Sequence, residues 1–275
     1  MAENLINPVP KVGKYLQLSF PAPRVVLITM NRPSHLNAMN RDARQEFGLV
    51  LPWFEAEPNL TVAILTGAGR AFCAGADLKE GAPSPGRKGD SNAVIESRTK
   101  SVTRRVGRKP LIAAVNGLAH GGGFEMSVNC DLVVASEEAE FCFPEVKRGL
   151  IPFAGALPRI MRTVGLQRAM EAALTGRRIS AREAETWGLV NKVVPKSEVV
   201  SEAVKYAEMI AANSPDAVIA AYLGVRESWH TAHVDDATQA TIDGPWAILS
   251  QSENLVEGVK AFQEKRAPKW KPSKL

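Results

Sequence analysis

Several features are scarce in this 275-residue chain, and each scarcity narrows what it can be. Only three cysteines occur, Cys73, Cys130 and Cys142. Their odd number and the lack of C-x-x-C spacing argue against a disulfide framework or a thiolate zinc site, so reduced, buried thiols of an intracellular protein are expected. Aromatic residues make up 6%, and no aromatic-rich nucleic-acid motif accompanies the net charge of +5. The basic residues are scattered apart from "TRRVGRK" (103–109) and "EKRAPKWKPSK" (264–274). That mild excess suits a phosphate-bearing small ligand or a solvated surface better than nucleic acid. No apolar run approaches the ~20 residues needed to span a bilayer. The opening "MAENLINPVPKVGKY" lacks both a secretory apolar core and an Arg-rich amphipathic pattern. No internal repeat survives a residue-by-residue comparison.

What is present is an ordinary globular composition, 45% hydrophobic and 23% charged, enough for one large domain or a domain with an appendage. Strand-like apolar runs at 24–30, 61–67, 111–115, 131–136 and 189–194 alternate with helical patterns, which predicts an α/β fold with parallel pairing. Residues 37–58 have helical character that Pro52 is expected to interrupt. The stretch "GAPSPGRKGDSNA" (81–93) reads as a surface loop and a candidate lid. Helix starts are marked by an S-x-x-E capping box at Ser180 and Glu183 and by Ser214 before Pro215.

Two glycine-bearing turns follow strands. The first lies in "TGAGRAFCAGADLKE" (66–80), whose Gly67-x-Gly69 invites a dinucleotide-binding reading. That reading fails, because the third glycine position is Phe72 and the acidic residue about twenty positions on is Asp90, within a loop. The second is "HGGGFE" (120–125), between a buried strand and a short helix. Three consecutive glycines admit two readings: a tight, closely packed turn, or backbone N–H groups left free for an anion. Two such turns converging on one oxygen have the makings of an oxyanion hole. Glu125 follows the second turn, and Glu145 in "CFPEVKRGLIP" lies beyond the next strand. Paired carboxylates in different environments can divide base and acid roles, although Glu145 taken alone also fits a surface or capping position after Pro144.

Together, "AFCAGADLKE", "NGLAHGGGFEMSVNCDLVVAS", "FPEVKRGLIP", "LTGRRISAREAETWGLVNKVV" and "EGVKAFQEKRAP" resemble the crotonase superfamily of enoyl-CoA hydratases and isomerases. The likeness runs from "ITMNRPSHLNAMN" to near the C-terminus, with the motifs in the same order. It implies a spiral of ββα turns over residues 1–195, carrying the CoA and catalytic sites, and a helical trimerisation region with a targeting tail over 196–275. It further implies acyl-CoA thioester substrates, a homotrimer or hexamer, and no metal or cofactor, coenzyme A being part of the substrate. By the same resemblance the oxyanion donors are the amides of Ala76 and Gly122. Asp77, Leu78 and Lys79 line the CoA site with Ala76. Glu125 activates water and Glu145 delivers the α-proton. Phe262 and Lys265 match positions that approach CoA across a subunit contact in some relatives, with a solvated helix end as the alternative. His120, beside the glycines, is a candidate for supporting the pocket.

The chain departs from the family pattern at Cys142 and Phe153. Phe153 stands where relatives carry a glycine whose amide helps hold the catalytic water, so a reshaped acyl pocket is expected. The resemblance therefore predicts an enoyl-CoA hydratase adding water reversibly to a 2-enoyl-CoA thioester, and leaves open whether the acyl group is a simple chain or a branched or specialised one. The alternatives are a Δ3,Δ2-enoyl-CoA isomerase, for which Glu125 is dispensable, and an RNA-binding protein of the same fold. A terminal Ser273-Lys274-Leu275 predicts recognition by the peroxisomal import receptor.

Overall fold

The computed structural model describes residues 5–80 and 100–275. The 81–93 stretch expected as a lid lies outside them. Among the described residues ten strands form two sheets. The larger contains β1 (Leu16–Ala22), β2 (Val25–Met30), β3 (Val62–Gly67), β5 (Leu111–Val115), β7 (Leu132–Ser136) and β10 (Lys192–Val194), in the order β1-β2-β3-β5-β7-β10. Only the β1–β2 pair is antiparallel. The smaller sheet orders β4 (Ala71–Cys73), β6 (Leu118–His120), β8 (Glu140–Cys142) and β9 (Ile179–Ser180), the last antiparallel. The parallel strands β3 and β5 are buried along their whole length, which is why they read as unbroken apolar runs.

Three times in succession a strand of the larger sheet turns, through residues 68–70, 116–117 and 137–139, directly into a strand of the smaller one. This spiral repeats in the backbone without repeating in the sequence, as the resemblance implies. Each pass delivers the end of a short strand, β4, β6 or β8, to the same edge, and the turns that follow those ends build the site.

Helix α1 (Arg41–Ala56) contains Pro52 and continues through it, so the expected interruption does not occur. An internal proline costs about 3 kcal/mol. Burial of Leu51, Trp53 and Phe54 around it, at ~1.5–3 kcal/mol for each large side chain, outweighs that cost. β1 is an element that sequence reading missed. It is an edge strand with Pro21 near its end, where a missing N–H is tolerated.

Among the described residues the remaining α-helices are α2 (Gly122–Asn129), α3 (Ala156–Val164), α4 (Leu166–Thr175), α5 (Ala181–Thr186), α6 (Val199–Ala211), α7 (Pro215–Glu227), α8 (Val234–Thr241), α9 (Ala247–Leu249) and α10 (Glu253–Gln263). Val199, Ala203, Ala207 and Ala211 recur every four residues and pack one face of α6 on Val62, Ile64, Ile112 and Val134 of the larger sheet. Ser180 caps α5 by accepting from the Glu183 amide at 3.2 Å. The Glu183 carboxylate turns to Arg177 at 2.9 Å, so the predicted box is half made. Ser214 caps α7, with Pro215 at its first position, as expected.

All three cysteines are free and buried. No helix among the described residues is long and apolar enough to cross a membrane.

Candidate active site

The site begins with the register of the smaller sheet. β6 and β8 run parallel with His120 opposite Cys142, and the Gly121 amide donates to the Cys142 carbonyl at 2.9 Å. The turn after β6 carries Glu125 and the turn after β8 carries Glu145, so pairing of the two strands brings the two carboxylates together. On the other side β4 pairs with β6, which sets the 74–77 turn against the glycines.

The glycine run is explained one residue at a time. Gly121 has φ +53° and ψ −124°, a conformation closed to side chains, and a Cβ there would stand 2.8 Å from Glu145 Oε1. A Cβ on Gly122 would lie 3.6 Å from Gly75 Cα and 3.8 Å from the Ala76 nitrogen. A Cβ on Gly123 would be driven to 2.1 Å from the Cys73 carbonyl oxygen. Close packing and free donors are thus both present, and the two readings of the run are complementary.

The 74–77 turn is pinned from outside. Met39 donates to the Gly75 carbonyl at 2.7 Å, and the Asp77 amide donates to the Met39 carbonyl at 3.1 Å. The Asp77 carboxylate accepts from Arg32 at 2.6 Å and from the Lys79 amide at 3.1 Å. The Arg32 hydrogen bond holds the Asp77 carboxyl below the usual carboxylate range. Between these contacts the Ala76 amide, like that of Gly122, finds no acceptor among the described residues. Two neighbouring unspent donors beside a helix start form a site where negative charge on an oxygen is stabilised.

Glu125 lies in the first turn of α2 and is buried. Its Oε1 accepts from the amides of Ala154 at 2.8 Å and Ala156 at 3.4 Å. Burial pushes its pKa up to about 7, and the charge of Glu145 adds to this. The two amides and the Arg104 guanidinium oppose the rise. Glu145 sits in the single-turn 3-10 helix Pro144–Arg148, and its Oε2 is buried without a hydrogen-bond partner. Burial raises its pKa also. Two carboxyls, both raised above their ordinary range and facing one pocket, can serve as a proton acceptor and a proton donor.

The other predicted residues are distributed more widely. Ala76, Leu78 and Lys79 are exposed at the oxyanion turn, whereas the Asp77 carboxylate is committed to Arg32. The Phe153 ring is 60% exposed beside the amides that hold Glu125. His120 points to Glu140 of β8, with Nε2 3.0 Å from Oε1, and burial lowers its pKa. Phe262, 87% exposed, and Lys265, also exposed, lie at the end of α10. Sequence reading missed the amides of Ala154 and Ala156, because a backbone donor leaves no mark in residue type. It also passed over Arg104 and Arg159, the first as one more charge in a basic cluster. Among the described residues no group of three metal-ligating side chains is assembled.

Comparison with known proteins shows the family. A family model described as enoyl-CoA hydratase/isomerase matches residues 22–273. The chain is 48% identical over 258 residues to a mevalonyl-coenzyme A hydratase of Aspergillus fumigatus, covering 94% of this chain and 95% of the relative. It is 46% identical to a protein of the same description from Beauveria bassiana, with the same coverage of 94% and 95%. Among solved structures, an enoyl-CoA hydratase from Mycobacterium tuberculosis superposes with a TM-score of 0.85 at 35% identity, over 95% of this chain and all of the other.

Proposed function

Because this chain belongs to the enoyl-CoA hydratase/isomerase family and is an enoyl-CoA hydratase, we propose that its substrate pair is a 3-methyl-branched 2-enoyl-CoA and the corresponding 3-hydroxy-3-methylacyl-CoA, of the mevalonyl type. The observation that carries the reading is the convergence of Glu125 and Glu145 beside two free amides, in a chain 48% and 46% identical to mevalonyl-CoA hydratases.

The thioester carbonyl accepts from the Ala76 and Gly122 amides, which draws electron density from C3. Glu125 takes a proton from water as the water oxygen bonds to C3, and Glu145 gives its proton to C2. In dehydration Glu145 removes the C2 proton while Glu125 protonates the departing C3 hydroxyl. Charge developing on the thioester oxygen is met by donors already in place, so little reorganisation is needed. Ala76, Leu78 and Lys79 face the CoA moiety, and Phe153 lies where an acyl group reaches the amides around Glu125. No cofactor takes part, since all proton traffic passes through the two carboxyls.

Purified protein incubated with mevalonyl-CoA and with straight-chain 3-hydroxyacyl-CoA, and in the opposite direction with the matching 2-enoyl-CoA thioesters, tests the reading by product mass. Preference for the branched pair supports it. Turnover of straight chains alone removes the branched specificity, and a double-bond shift without hydration hands the reaction to isomerisation.

A homotrimer or hexamer is part of the same proposal. Exposed Trp246, Ile248, Val256, Val259 and Phe262 on the C-terminal helices support it, and mass in solution tests it. The peroxisomal address rests on Ser273-Lys274-Leu275, and localisation of a fluorescent fusion with and without the tripeptide tests it.

A further inference from the structure

The two amides that hold Glu125 belong to two peptide groups, and each of these is held again at its other end. The peptide joining Phe153 to Ala154 offers its N–H to Glu125 Oε1 at 2.8 Å, and its carbonyl, that of Phe153, accepts from Arg104 Nη2 at 3.0 Å. The peptide joining Gly155 to Ala156 offers its N–H to the same oxygen at 3.4 Å, and its carbonyl accepts from Arg159 Nη1 at 2.8 Å. Arg159 Nη1 also reaches the Thr103 carbonyl at 3.2 Å, which ties it to the 102–104 turn that bears Arg104.

A peptide group is planar, and in the trans form its N–H and C=O point in opposite directions. A cation fixed on the carbonyl therefore fixes the direction of the N–H. Donation to the carbonyl oxygen also polarises the peptide, so the N–H on the far side becomes a stronger donor. Residues 153–155 are a turn, with Gly155 at φ +110°, that leads into the first residue of α3, so no strand or preceding helical turn orients these two peptides. Among the described residues neither Arg104 nor Arg159 forms an ion pair with a carboxylate. Arg159 is half-buried with its Nε unpartnered, and its guanidinium lies 5.9 Å from the Trp229 ring. A guanidinium held in this way is costly to keep as a surface feature and is explained by what it orients.

We propose that Arg104 and Arg159 are positioning residues for the hydratase reaction, clamping the 153–154 and 155–156 peptide planes so that both N–H groups converge on Oε1 of Glu125 and leave Oε2 to face water. The proposal rests on Glu125 being the water-activating group. Neither guanidinium need touch substrate. The charged groups that face Glu125 are Glu145, which disfavours its ionisation, and the two arginines, which favour it. Loss of either arginine weakens a charge and slackens an amide, and both changes move Glu125 ionisation to higher pH.

Two readouts separate this from a merely structural role. The first is kcat and KM across pH for Arg104→Met, Arg159→Met and the corresponding lysine variants. The second is infrared titration of the Glu125 carboxyl in substrate-free protein, identified by difference from Glu125→Gln. In each methionine variant we expect kcat to fall roughly ten- to a hundredfold with KM changed by less than about threefold. The Glu125 titration is expected to move upward by about half a pH unit or more. Lysine restores the charge and one of the hydrogen bonds, and recovers part of both effects. The double methionine variant loses less than the product of the single losses, because both arginines act through one carboxylate.

An unmoved Glu125 titration, with kcat falling only as far as folded protein is lost, would overturn the proposal. So would lysine variants no better than methionine. Should the methionine variants fail to fold, the lysine variants carry the test against wild type, since an ammonium keeps the charge but lacks the planar, forked guanidinium that fixes the donor direction at each carbonyl, and an unmoved Glu125 titration in them would overturn the proposal. If the wild-type protein proved inactive on every branched thioester, the substrate assignment would fall while the infrared titration still decided the clamp.

Discussion

Glu145 stands against Gly121 so closely that a single methyl group would displace it. An added Cβ would lie 2.8 Å from Oε1, at a backbone φ of +53°. Gly121→Ala is therefore expected to act on catalysis and stability together. The strained backbone costs on the order of 1–3 kcal/mol. Displacement of Glu145 should lower kcat by about a hundredfold or more. A melting curve and a kcat measurement check the two parts separately, and a variant that kept full turnover would remove Glu145 from the reacting centre.

The carboxylates themselves should behave as a pair with separable duties. Glu125→Gln and Glu145→Gln are each expected to lower hydration by roughly 100- to 10,000-fold, while binding of a CoA thioester, followed by calorimetry, stays nearly unchanged. Retention of full 3-enoyl to 2-enoyl isomerisation by Glu125→Gln, with hydration lost, would separate the roles as drawn. Equal hydration by the variant and the wild type would contradict them.

Burial of Glu125 predicts a pH-dependent gain in stability for its amide variant. The folded-state pKa of about 7 exceeds the ordinary unfolded value, so the folded state holds the proton more tightly. Glu125 then costs stability progressively as pH rises from about 4 to about 7, and fully above that. Glutamine carries no such cost and keeps an oxygen for the Ala154 and Ala156 amides. Its melting temperature should match wild type near pH 4 and exceed it near pH 8, by an amount corresponding to on the order of 2 kcal/mol. A constant difference across that range would rule out the linkage.

Asp77 and Arg32 should matter to the oxyanion turn without entering the chemistry. Their 2.6 Å contact lies one residue from the Ala76 amide. Asp77→Asn is expected to lower kcat/KM about three- to tenfold by loosening that donor, with Arg32→Met giving a similar loss and the double variant little more. Steady-state kinetics on the preferred thioester checks this, and strictly additive losses would place the two residues in separate roles.

Much of this was legible in residue order. The apolar runs of β3 and β5 announced buried parallel strands because their burial on both faces leaves no polar alternation to blur them. The caps at Ser180 and Ser214 were legible because they depend on neighbours a few positions away. Pro52 misled, since burial of Leu51, Trp53 and Phe54 overrides a local penalty that sequence alone makes decisive. β1 escaped notice because an edge strand tolerates the proline and polar residues that ordinarily argue against a strand.

At the site the division follows from the same physics. Residue types marked the three glycines, the other glycine-bearing turn and the two glutamates as candidates, each a chemical choice written in a side chain or in its absence, while the family resemblance singled out Ala76 and gave the roles. Only the tertiary structure decided that the β6–β8 register faces Glu125 toward Glu145, that Asp77 is bound to Arg32, and that Arg104 and Arg159 grip the far ends of the peptides holding Glu125. Those relations depend on the directions of peptide planes and on strand register. Every residue carries the same peptide group, so its orientation is set by the fold and leaves no trace in the order of side chains.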